Sequence, residues 1–140
     1  QEQMKAVARE LGLNFSKMQQ RRTCNTFDAH RLVKWAATLG QATAMKQALF
    51  EAYFGEAEDV SERGVLLRAA DKAGLDSRAA AEVLDGDDFA EQVREEEAWY
   101  QKAGISAVPS FIVNQRYIIS GAQEPETLAG ALREIAAEAA

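Results

Sequence analysis

The 140 residues are 47% hydrophobic and 27% charged, the balance of an ordinary globular domain, and the length suffices for a buried core. A formal net charge of −6 excludes a general binder of nucleic acid or of anionic membrane, and no apolar run reaches the roughly 18 residues of a membrane span. With one cysteine, Cys24, and one histidine, His30, neither an intramolecular disulfide nor a standard metal site can form, and no phosphate loop or serine-nucleophile elbow is present.

Residues 1–104 read as consecutive short helices. In "QEQMKAVARELG", Met4, Val7, Ala8 and Leu11 recur at helical spacing and Gly12 is a natural stop. This start has neither an initiator Met nor the basic and apolar regions of a signal peptide, and it reads as the interior of a longer chain. "LNFSKMQQRRTC" shows no period and reads as a linker or ligand-side loop. The next helix, "NTFDAHRLVKWAATLG", takes Asn25 as N-cap with Asp28 in a box-like position, and Phe27, Leu32, Val33, Ala36 and Leu39 as its apolar stripe.

"QATAMKQALFEAYFGE" then turns Met45, Leu49, Phe50, Tyr53 and Phe54 inward. Ser61 is expected to cap "VSERGVLLRAADKAGL", and Asp76 or Ser77 a shorter helix ending at Gly86. In "DDFAEQVREEEAWYQKAG" two acids suit the positive end of the helix dipole, Phe89, Val93 and Tyr100 share a face, and Arg94 to Glu97 form a solvated surface. Trp35 and Trp99 read as packing residues.

After Gly104 the period changes to that of strands. "SFIVN" and "RYIIS" are β-branched and aromatic, and Asn114-Gln115 between them suits a tight hairpin turn. "EPETLAGALREIAAEAA" closes the chain as a helix with Pro125 in its first turn and Leu128, Leu132 and Ile135 on its buried edge. Two apolar strands alone are marginal in water, so the hairpin calls for further strands from additional chain or from a partner copy. Pro109 lies directly before the first strand, where a missing donor is tolerated. Local sequence leaves both a trans strand start and a cis Val108–Pro109 bond open.

These segments together resemble the DsbA-like thiol-disulfide oxidoreductases of the FrnE type. "NTFDAHRLVKWA" is similar to that group's Asn-Thr-x-x-Ala-His-Arg-Leu helix, "LFEAYF" and "DVSERGVLLRAADKAGLD" to its next two helices, and "GISAVPSFIV" and "ISGAQEPE" to its closing motifs. The resemblance implies a mostly helical α+β chain: a thioredoxin-like fold with an inserted helical domain, residues 1–104, and a carboxy-terminal β-β-α unit, residues 105–140. The fold's N-terminal β-α-β, which carries the Cys-x-x-Cys, is expected upstream of Gln1, and this chain alone is expected to be inactive.

The resemblance further implies that Val108 and Pro109 form the cis-Pro element that holds a substrate peptide, with Gly121 and Ala122 bordering the same groove. Asn25 and His30 become candidates for lining the cleft, although a cap and a packing residue are their simplest readings. Cys24, where many relatives have proline, is a candidate reactive thiol, since a helix start and Arg21 and Arg22 follow or precede it closely. The implied partners are protein or peptide thiols and disulfides, with glutathione a second candidate and a homo-oligomer one way to complete the sheet. No cofactor or metal is implied, and the implied location is cytoplasmic. The rival readings are the glutathione-dependent relatives, kappa-type glutathione transferases and 2-hydroxychromene-2-carboxylate isomerases, and a non-catalytic peptide-binding module. "SGAQ" after the hairpin favours the oxidoreductase.

Overall fold

Alanine-rich apolar stripes at helical spacing assemble four helices into a closed ring. These are α2 (Phe27–Thr38), α3 (Ala42–Phe50), α4 (Arg63–Lys72) and α5 (Ser77–Asp85). α2 packs on α3, α3 on α4, α4 on α5, and α5 returns to α2. The structure, a computed structural model, describes residues 2–138, and the chain folds as two units, residues 1–95 and 96–140. The division falls within α6 (Ala90–Lys102), ahead of the boundary after residue 104 expected from the sequence.

In the first unit Leu32 and Met45 are 0% exposed and Leu66 is 1% exposed. Around them seven of the cluster's other twelve residues are alanine (Ala29, Ala36, Ala48, Ala52, Ala69, Ala70 and Ala80), small side chains that let neighbouring backbones approach closely. Cys24, Val33, Trp35, Tyr53 and Phe89 pack on its margin. α3 runs on into a π-helical turn, Glu51–Gly55. Gly55 permits the close approach of Asn14 there, because a Cβ would stand 2.9 Å from Asn14 Nδ2.

Helix starts follow local hydrogen bonding more than stripe position. Asp76 caps α5 as expected, its Oδ1 accepting from Arg78 N at 2.7 Å and Ala79 N at 3.3 Å. Ser61 does not cap α4, which begins at Arg63 after Glu62. Its backbone N–H and hydroxyl instead donate to Asp59 Oδ1, at 2.8 and 2.5 Å, in a turn that competes with capping. Asn25 likewise lies one residue too early. Its Oδ1 accepts from Phe27 N at 2.9 Å, and Thr26 holds the cap position of α2.

Several side chains expected inside are outside. Leu39, Phe50 and Tyr100 are exposed, since each lies at or beyond the end of the face its helix buries, and Leu132 is exposed midway along the last helix although Ile135 beyond it is buried. Met4 and Val7 of α1 (Glu2–Glu10), and Leu11 just after it, are exposed as well, and within that helix Ala8 alone is buried. The stretch read as a linker contains a 3₁₀ turn, Met18–Gln20, whose Met18 is buried.

The second unit holds β1 (Ser110–Val113), β2 (Tyr117–Ser120) and α7 (Pro125–Glu138). The strands are antiparallel in the register Ser110↔Ser120 to Val113↔Tyr117. The turn is therefore three residues, Asn114 to Arg116, rather than the two expected. Asn114 and Gln115 both adopt positive φ, and Arg116 N donates to Val113 O at 3.1 Å. Ile135 is the one buried residue among the described residues of this unit, and Phe111 and Ile118, on opposite faces of the hairpin, are exposed.

Candidate functional site

Two of the residues singled out from sequence meet at the open end of the hairpin. Pro109 cannot donate, but its carbonyl accepts from Gly121 N at 2.8 Å, which extends the ladder one step beyond Ser110↔Ser120. Gly121 is at φ +82°, a conformation that an L side chain rarely takes, so glycine suits the point where the chain leaves β2. The Val108–Pro109 peptide bond is cis. Ser110 Oγ donates to Ala107 O at 2.6 Å across this bond and ties down the preceding loop. On the other side the Gln123 amide donates to Ser120 O at 3.1 Å and closes the turn after β2.

This end faces solvent. Val108 is 88% exposed, and Pro109 and Ala122 are exposed too. An apolar, β-branched residue so fully exposed contributes nothing to a core, and beside it lies backbone at the limit of the ladder. Such an edge is suited to pairing with an extended peptide.

The other candidates lie in the first unit. His30 is exposed near the start of α2, and Asn25 is exposed with its side chain engaged by Phe27 N. Cys24 is half-buried beside the Asp59–Ser61 turn. Burial pushes its thiol up, the Val60 N–H works against that, and the Asp59 carboxylate adds to it. The carboxyl of Asp59 is itself held below the usual range, chiefly by the Ser61 hydroxyl.

Arg21 does not supply the expected activation. It donates to Tyr53 Oη at 2.7 Å, and its guanidinium lies over the Tyr53 and Phe54 rings. The surroundings of Cys24 thus favour the thiol over the thiolate. Alkylation by iodoacetamide is expected to be slower at pH 7.5 than for a free cysteine derivative, with its inflection at higher pH. A rate profile from pH 7 to 10.5 measures this, and an inflection below that of the free thiol would contradict it.

Sequence reading overlooked Arg31, which is 5% exposed. Its Nε donates to Asp88 O at 2.9 Å, one terminal nitrogen to Asp28 Oδ1 at 2.8 Å, and the other to Val83 O and Gly86 O, each at 2.5 Å. One planar donor group thereby ties α2 to the α5–α6 connection. The available signal was its place inside the Asn25-to-Leu32 motif.

The DsbA-like thioredoxin domain model matches residues 1–133. The chain belongs to this family. Among solved structures, the DsbA-like chain is similar to the crystal structure of a probable DsbA oxidoreductase from Streptomyces coelicolor, with a TM-score of 0.86 and 30% identity. The match covers 95% of this chain and 57% of that one, so this DsbA-like domain spans little more than half the length of its structural relative. No curated protein matches the chain significantly. The mostly helical α+β architecture is the DsbA-like thioredoxin fold, with the four-helix ring as its helical part. Cys24 is its one cysteine, so these 140 residues contain no Cys-x-x-Cys.

Proposed function

We propose that these residues are the substrate-holding side of a FrnE-type thiol-disulfide exchange site, with the attacking cysteine pair supplied from outside them. The observation that carries this reading is the DsbA-like domain match over residues 1–133. The open end of the hairpin is where a substrate segment would lie, Val108 and Pro109 on one side and Gly121 and Ala122 on the other. The substrates are protein or peptide thiols and disulfides in the cytoplasm.

In the exchange, a thiolate attacks one sulfur of a disulfide, forms a mixed disulfide and expels the other sulfur as a thiolate. A second cysteine then displaces the bound partner, so one disulfide is made for each one consumed. The role of the hairpin end is to hold the partner's backbone extended while sulfur meets sulfur.

The 140-residue chain is expected to leave insulin reduction at the dithiothreitol background, whereas a protein joining it to the family's Cys-x-x-Cys segment is expected to accelerate it. Equal rates for the two would refute the division of labour. In the longer protein, Val108→Asp is expected to raise KM for a protein disulfide about tenfold with kcat unchanged. Because Val108 is 88% exposed, Tm should stay the same. An unchanged KM would remove Val108 from the site.

A further inference from the structure

The hairpin end carries a charge asymmetry that bears on which partners it accepts. After Ala122 the chain runs Gln123-Glu124-Pro125-Glu126, and both glutamates are exposed. The carbonyl of Glu124 accepts the first backbone bond of α7, from Leu128 N at 3.1 Å, which fixes Glu124 at the helix start. Two residues of chain span at most about 7 Å, so Glu124 lies within a Debye length, about 8 Å, of Ala122.

The bases of residues 96–140 are Lys102, Arg116 and Arg133. Arg116 sits in the turn at the far end of the hairpin, beyond four strand residues or about 13 Å from Pro109. Arg133 is eight residues along α7 from Pro125, about 12 Å. Both are screened from the open end at physiological salt. Lys102 closes α6 six residues before Val108 and offsets at most one of the two acids. The dipole of α7 offers about half a positive charge at the same place, against two full negative ones. The balance at the hairpin end is negative.

We infer that Glu124 and Glu126 make this edge select extended segments with Lys or Arg beside the reacting sulfur and disfavour anionic thiols and disulfides, glutathione included. This rests on the proposed role of the hairpin end as the substrate-holding edge. The two acids do not form that site; they act on what it accepts, through their charge at the start of α7.

The test uses the 140-residue chain and two ten-residue peptides that differ only in flanks of two Lys or two Glu around a central Ser. Binding is followed by the amide NMR signals of Val108, Gly121 and Ala122. The Lys peptide is expected to bind about fivefold more tightly than the Glu peptide. The Glu124→Gln/Glu126→Gln variant should bring the ratio close to one, while Glu134→Gln, farther along α7, leaves it unchanged.

In 1 M NaCl, where the Debye length is about 3 Å, the wild-type ratio should also collapse. That measurement stands even if the double variant frays α7. Equal binding of both peptides to the wild-type chain at low salt overturns the charge selection and leaves the edge intact. Perturbation of these signals by neither peptide overturns the edge itself, and the selection with it.

Discussion

Arg31→Ala is expected to cost about 3 kcal/mol and to lower Tm by about 10 °C or more. The side chain is 5% exposed and satisfies four acceptors, three of them backbone carbonyls. Alanine would leave the carbonyls of Val83, Gly86 and Asp88 without this donor, and the Val83 bond is fully buried. The loss is therefore one of desolvated acceptors as well as of a charge pair.

Arg31→Lys should recover less than half of it, because a single ammonium cannot reach acceptors arranged around a planar fork. Arg63→Ala is the control. Arg63 pairs with Asp85 at 2.8 Å, but both side chains are largely in water, and the expected change is within about 0.5 kcal/mol. Thermal melts by circular dichroism compare the three variants. An Arg31→Ala melt as mild as that of Arg63→Ala would show that the α5–α6 connection does not depend on this residue.

The second large effect is expected at Leu66. Leu66→Ala should destabilise the first unit by about 3 kcal/mol, seen as a lower urea midpoint with an unchanged slope. Leu66 is 1% exposed at the heart of the ring, and seven of the fifteen residues of its cluster are alanines. Alanine side chains have no further atoms to swing into a void, so the cavity would persist and the cost would lie well above the bare transfer term. Leu66→Met, close in volume and flexible, should cost less than about 1.5 kcal/mol. A Leu66→Ala cost below that of Leu66→Met would mean that the ring collapses around the lost side chain.

The same ring shows what sequence reading reaches and where it stops. Leu32, Met45, Leu49 and Ala36 were legible as core because spacings of three and four place them on one helical face. Phe50, Leu39 and Tyr100 obey the same spacing and are exposed. Periodicity gives the direction of a face; how far along the helix a neighbour covers it depends on where that neighbour ends. Asp76 was legible as a cap because its carboxylate bonds backbone within three residues. Ser61 misled because a carboxylate two residues earlier took both its N–H and its hydroxyl.

For the candidate site the division is similar. The sequence by itself determined the helical character of residues 27–85, the hairpin after Pro109 and the family resemblance, since each rests on residue types and short spacings along the chain. Tertiary structure decided that Pro109 and Gly121 share a ladder bond, that Val108 stands in solvent, and that Cys24 faces Asp59 rather than the arginines. It also turned Arg31 from one more charge on a helix into the buried tie of the α5–α6 connection. Burial and long-range partners depend on where distant segments end up, and no local pattern in the chain encodes that.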